Sequence, residues 1–200
     1  MSTLRITTLL MFVLSMLVLG CGESENITNP DPANLPASTT ELMNEFTTAL
    51  AEMDYDHYDQ LLDGRFTFEF NNTSSRDKVE DLISTDNMLS GEARINNDGI
   101  PTRAISDIAV DQMLIREAWE SVSPSHPLYG SIPGVKQSLY QVRIVFYHSG
   151  GTITLETFQT FYAVPMTTDG ETTWSLIGQR DEAKKSNESM AWGGIKNLFR

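Results

Sequence analysis

Lys136-Gln-Ser-Leu-Tyr-Gln-Val-Arg-Ile-Val-Phe-Tyr-His148, then Ser149-Gly-Gly151, then Thr152-Ile-Thr-Leu-Glu-Thr-Phe-Gln-Thr-Phe-Tyr-Ala-Val164 is the stretch that decides the fold. In its first half Tyr140, Val142, Ile144 and Phe146 point one way, while Gln141 and Arg143 point the other. A period of two is the signature of a strand with one buried face. The Gly150-Gly151 pair between two such runs predicts a hairpin. Working outward, Thr172–Arg180 reads as a further strand with Trp174, Leu176 and Gly178 on a common side. Upstream, a strand is expected within Arg103–Leu114, where Ile108, Val110 and Leu114 share a face. Between them the segment 117–134, with Pro124, Pro127, Gly130 and Pro133, reads as a long loop. Arg65-Phe-Thr-Phe-Glu-Phe70 alternates strictly, with Phe66, Phe68 and Phe70 on one side.

The first half of the chain also carries helical spacing. Ser38-Thr-Thr-Glu41 has the form of a capping box, and Leu42, Phe46, Ala49, Leu50 and Met53 recur at the helical period behind it. Asp54–Leu62 reads as a second helix, broken by Asp63-Gly64, and Ser74–Ser90 as a third, with Val79, Leu82 and Ile83 as its apolar face. At the C-terminus Trp192, Ile195 and Phe199 are spaced as in a short helix that packs back on the sheet. Helices followed by consecutive antiparallel strands define an α+β domain.

The 200 residues include 27 acidic and 14 basic side chains, for a formal charge of −13. With no basic patch to displace counterions from phosphates, a nucleic-acid binder is excluded. Electrostatic docking on anionic lipid is disfavoured for the same reason. A single cysteine, Cys21, rules out an intrachain disulfide and a cysteine-rich zinc site. A hydrophobic content of 40% supports one domain with a true core.

Residues 1–20 have the parts of a secretory signal: Arg5, then the apolar run from Ile6 to Leu19. That run is shorter than the ~20 residues a permanent membrane helix needs. Val18-Leu19-Gly20-Cys21 resembles a bacterial lipobox. The resemblance implies cleavage between Gly20 and Cys21 and acylation of the cysteine, including palmitate or a similar chain. Two or three chains give stable anchoring, because each buried methylene contributes ~0.8 kcal/mol. Gly22, rather than Asp, follows the cysteine. By that resemblance the address is the cell envelope, and the outer membrane in a cell that has two. Residues 22–37 contain three prolines and three asparagines, and are expected to form a flexible tether behind the lipidated Cys21. The folded domain is then expected to span 38–200.

Three passages carry a further likeness: Tyr58-Asp-Gln-Leu-Leu-Asp-Gly-Arg-Phe-Thr-Phe-Glu-Phe70, Trp174-Ser-Leu-Ile-Gly-Gln-Arg-Asp181 and Trp192-Gly-Gly-Ile-Lys-Asn-Leu-Phe-Arg200. In this order of elements the chain resembles the nuclear transport factor two-like superfamily, also called the SnoaL-like or cystatin-like cone, and within it bacterial lipoproteins with one such domain behind a lipobox. The resemblance implies N-terminal helices packed in a strongly curved antiparallel sheet. It also implies a pocket on the concave face suited to a small, largely apolar ligand, and a homodimer through the convex face. Candidate pocket residues are Tyr58, Phe66, Tyr140, Arg143 and Trp174, with Tyr147 and Glu156 as further polar groups. The simpler reading of the aromatic stripes is core, and Arg143 and Glu156 can pair across the hairpin.

The superfamily holds both enzymes and non-enzymatic binders, and none of its catalytic signatures aligns on this chain. No cofactor or metal is expected. The densest polar cluster, Asp54-Tyr-Asp-His57-Tyr-Asp59, lacks calcium-loop spacing and reads as a solvated helix face. His126 falls in the proline-rich loop and His148 beside the hairpin turn. Three readings of function therefore stand: a lipid-anchored binding domain for a small ligand or a protein; a hydratase, isomerase or hydrolase with an acid–base pair in the cone; or a purely structural interaction module, which requires a broad exposed apolar patch and no cavity.

Overall fold

Ser38 caps the first helix as its sequence requires: its hydroxyl accepts from the Glu41 amide at 3.1 Å, and the Glu41 carboxylate accepts from the Ala37 amide at 2.9 Å. This computed structural model describes residues 29–70, 74–96, 99–182 and 192–200, with only the backbone of 192 and 193. The expected signal 1–20, the expected cleavage junction Gly20–Cys21 and the expected tether as far as residue 28 lie outside them, as does the Trp192 side chain. The elements are α1 (Thr39–Ala51), α2 (Tyr55–Gln60), β1 (Leu62–Phe70), β2 (Ser74–Asp77), α3 (Lys78–Leu89), β3 (Ile105–Ile115), β4 (Glu120–Ser121), β5 (Lys136–His148), β6 (Gly151–Thr168), β7 (Glu171–Glu182) and α4 (Trp192–Leu198).

The fold class is α+β. One sheet runs in the order β2-β1-β7-β6-β5-β3, with β4 added beside β5. It curls without closing, and the helices pack into its concave side. The pairing is antiparallel except between β1 and β7, which run parallel. The core forms where Leu42, Phe46 and Leu50 of α1 meet Phe66 and Phe68 of β1, Val142, Ile144 and Phe146 of β5, and Phe161 of β6. Burial of such side chains contributes roughly 1.5–3 kcal/mol each before entropy is counted.

Several details differ from the sequence pattern. Residues 74–77 are not helix but strand β2, paired with Thr67–Phe70, and Asp77 then caps α3. Of Val79, Leu82 and Ile83, that helix packs only Leu82 against the core, and that in part. It buries Lys78, Asp81, Ser84, Thr85, Met88 and Leu89, and Ile83 is 51% exposed. Advancing one residue turns a helix by ~100°, so a polar face took the inward side and an apolar residue was left out.

In β3, an irregularity between Val110 and Gln112 swings Leu114 outward and puts Met113 against the core. A similar shift at Ile177 parts Leu176 from Gly178, which packs beneath the Tyr129 ring on the outer side. The hairpin turn is Ser149-Gly150, with His148 paired to Gly151. Strand β1 starts at Leu62 and runs through Asp63 and Gly64 instead of breaking there. Asp63 is 2% exposed and takes the Arg65 guanidinium at 2.8 and 3.0 Å.

The last part of the expected tether is docked. Asp31 caps a single turn over Pro32–Asn34, Leu35 is buried, and the Pro36 carbonyl accepts from the Trp174 amide at 2.8 Å. The Asn29 side chain accepts from the Gly64 amide at 3.1 Å.

Candidate functional site

The inward face of the cone has a polar centre made by three helices. Tyr58 from α2, Asp81 from α3 and Lys196 from α4 are each 0% exposed. The Tyr58 hydroxyl donates to Asp81 Oδ2 at 3.0 Å. The Lys196 ammonium donates to the Tyr58 oxygen at 3.1 Å and forms a close ion pair with Asp81 Oδ1. It also lies 5.3 and 5.4 Å from the centres of the Tyr58 and Phe68 rings. Burial holds the Tyr58 phenol well above its ordinary range, and the Asp81 charge adds to that. Burial also lowers the Lys196 ammonium, against the opposing pull of Asp81.

Strands β6 and β7 extend this centre. Gln159 donates to Asp181 at 3.3 Å and Gln179 donates to Gln159 at 2.7 Å, all three fully or nearly fully buried. Arg76 of β2 covers the Phe70 ring at 4.9 Å and donates to Asn197. Around it α4 is fastened from outside: the Asn87 side chain donates to the Phe199 carbonyl at 2.8 Å, and Arg200 pairs with Glu80 at 3.7 Å. As arranged, the trio is capable of acid–base exchange in principle. Its complete burial leaves a solute no access while α4 is in place.

The residues expected at a pocket are spread through the domain. Tyr58 belongs to the polar centre, and Phe66 is core at 1% exposure. Tyr140 faces inward, edge-on to Phe161, and its hydroxyl accepts from the Trp119 indole at 3.2 Å. Trp174 lies at the rim under the Lys136 ammonium, 4.8 Å from the ring centre. Arg143 is misplaced by that expectation: it stands on the outer face, exposed, and pairs with Asp111 at 3.5 Å. The strand alternation that turns Tyr140 and Val142 inward turns Arg143 outward. Tyr147 is likewise exposed.

The acidic run at 54–59 is used structurally. Asp54 caps α2, Asp59 pairs with Lys78 at 2.8 Å, and His57 pairs with Glu45 at 3.2 Å. His148 sits in the hairpin, accepting from the Gly150 amide at 3.0 Å with Arg103 at 3.2 Å on its other nitrogen. His126 accepts from two loop amides and stacks 5.0 Å from Tyr129.

Asp81, Gln159, Gln179, Asp181 and Lys196 were missed by sequence reasoning. A signal existed for three of them. Gln159, Gln179 and Asp181 share inward positions with Phe161, Phe68 and Phe70 by strand pairing, so a polar residue there must find a buried partner.

On the outer face a cleft of about 470 Å³ opens between the 117–120 segment and the sheet, lined by Glu117, Glu120, Leu139, Phe158, Arg180 and Glu182 among others. Arg180 donates to Glu182 at 2.9 and 2.7 Å, and Phe158 is 37% exposed.

Helices held in a curled, open sheet define a cone domain of the α+β class. Among solved structures the chain is similar to a nuclear transport factor two-like protein of unknown function in nutrient uptake from Rhodospirillum rubrum, at 12% identity and a TM-score of 0.44 over 74% of this chain and 98% of that one. It is similar to a protein with a cystatin-like fold from Caulobacter vibrioides, at 10% identity and a TM-score of 0.45 over 72% and 84%. It is also similar to a hexachlorocyclohexane dehydrochlorinase, at 10% identity and a TM-score of 0.46 over 72% and 82%. No protein-family model matches the sequence, and no curated protein does.

Proposed function

We propose that this chain is a lipid-anchored protein of the cell envelope, of the outer membrane where there are two, whose cone domain serves binding and not chemistry. The observation that carries this reading is the closed polar centre: Tyr58, Asp81 and Lys196 satisfy one another at zero exposure. Groups that act in turnover have to meet a substrate, and these three stand at zero exposure, enclosed by protein. The lipobox-like Val18-Leu19-Gly20-Cys21 supports the anchoring. Binding then falls to the outside of the sheet, where Phe158 and Leu139 give the outer cleft an apolar floor between carboxylates. Its occupant is a small ligand or another protein, a second copy of the chain included.

Native mass spectrometry of the lipidated protein, extracted from its own membranes, tests this. The result expected is a retained molecule or subunit that Phe158→Ala releases and Asp81→Asn does not. The reverse pattern favours the second reading, an acid–base enzyme whose trio works once α4 has moved aside.

A further inference from the structure

We propose that the domain stands end-on to the bilayer, on the end formed by residues 31–33 and the β6–β7 turn, with the β5–β6 turn directed away. This rests on acylation of Cys21. Because residues 29–36 are docked on the sheet, the chain between lipid and domain is much shorter than the tether expected from composition. From Cys21 to Asn29 there are eight peptide steps, which fully stretched reach about 29 Å.

The points of attachment lie at one end of the sheet. Asn29 is bound by the Gly64 amide near the start of β1. Asp31, Pro32 and Ala33 line a shallow recess with Thr168, Asp169, Glu171 and Thr173 at the β6–β7 turn. Strand β6 runs 18 residues from there to the β5–β6 turn, roughly 55 Å away if it were straight. The leash is therefore short against the length of the body that it holds.

Charge decides against the domain lying on its side. Loss of residues 1–20 removes Arg5 and no acid, leaving 13 basic and 27 acidic residues, a net −14. A domain of that net charge is repelled on the whole by anionic headgroups, and upright attachment brings the least of its surface near them. The near end carries exposed Asp31, Asp169 and Glu171 and so stands off from the headgroups without entering them. A consequence is that Ile95, 72% exposed, and Ile100, 57% exposed, are presented away from the membrane with the segment that precedes β3.

The full-length lipidated protein tests this in phosphatidylethanolamine–phosphatidylglycerol vesicles that carry a headgroup acceptor dye. With Cys21 acylated, an introduced cysteine is the sole free thiol, so a donor can be placed at Thr168→Cys or at Ser149→Cys. Energy transfer from the first is expected to exceed that from the second by about threefold, and a Gly/Ser spacer of about 20 residues inserted after Gly22 should remove the difference. Equal transfer from both positions, or more from Ser149→Cys, in protein that floats with the vesicles overturns the orientation alone. Protein that neither floats nor incorporates a labelled palmitate overturns the acylation, and the orientation with it.

Discussion

The two faces of the sheet each bury polar groups, and they do so in opposite ways. Inside, Tyr58, Asp81 and Lys196 form a set in which the ammonium faces the carboxylate and the phenol bridges them. Outside, Tyr129 and Tyr162 pack 4.5 Å apart over β7, beside Arg180, Glu69 and Glu182. There the two tyrosine hydroxyls and one Glu69 oxygen are buried without a hydrogen bond of ordinary geometry among the described residues. Ions removed from water are tolerable when paired and hydrogen-bonded, and costly otherwise. The inner centre therefore ties elements together, whereas the outer layer carries the cost of buried polar atoms that are not paired.

Breaking the inner set should have the largest effect. Lys196→Met keeps the length of the side chain but leaves Asp81 buried without its counter-charge, a loss expected to cost about 3–5 kcal/mol. Adding Asp81→Leu removes the stranded charge and should restore most of that stability. Denaturant midpoints of the two variants against the parent measure it. A single variant within about 1 kcal/mol of the parent would mean that the ion pair does not hold the C-terminal helix in place.

The same contrast explains what was legible in the sequence. Strands β1 and β5 were readable because their apolar residues alternate, as in Phe66, Phe68 and Phe70, and β6 because it follows β5 across a glycine turn. Helix α1 was readable from its cap and one apolar stripe. The inner centre was hidden because its members come from α2, α3 and α4, with Lys196 115 residues beyond Asp81, and no local pattern joins the two. Helix α3 was misread because Val79, Leu82 and Ile83 imitate a core face, while its buried face mixes Met88 and Leu89 with Lys78, Asp81, Ser84 and Thr85, and Asp81 makes sense there only with Lys196 opposite. The outward turn of Leu114 and Gly178 was hidden by bulges, which reverse the parity of a strand without marking the sequence. Arg143 shows the converse: alternation alone placed it outside, and the likeness to a pocket-forming cone did not alter that.

Gly178 probes the outer layer more directly. A β-carbon there would lie 2.0 Å from the Tyr129 hydroxyl and 2.6 Å from its ring carbon. Gly178→Ala should therefore push the Tyr129 ring off the strand, at a cost of about 1–3 kcal/mol. Combining it with Tyr129→Leu, which clears the space, should make the alanine nearly neutral relative to Tyr129→Leu alone. Full additivity in this double-mutant cycle would show that the strain is not between these two residues.

The smallest effect is expected at Glu69, and its sign separates the faces. Burial raises the Glu69 carboxyl above its ordinary value, Arg180 pulls it back, and Glu182 raises it further. A carboxyl with a raised folded pKa binds more protons in the folded chain than in the unfolded one. Its contribution is thus favourable in acid and is lost as pH rises from the unfolded value of 4.5 through the folded one. Glu69→Gln, which is neutral throughout, should be slightly more stable than the parent at pH 7, by less than about 1 kcal/mol because the side chain is only half-buried. The gain should vanish as pH falls below that of the free carboxyl. Asp81→Asn should behave oppositely at neutral pH, because there the lost charge is one that Lys196 requires. Denaturation of both variants at neutral and acid pH reads the two signs side by side. If Glu69→Gln destabilises at pH 7, the Arg180 attraction outweighs burial, and the outer layer is a charge-paired set like the inner one.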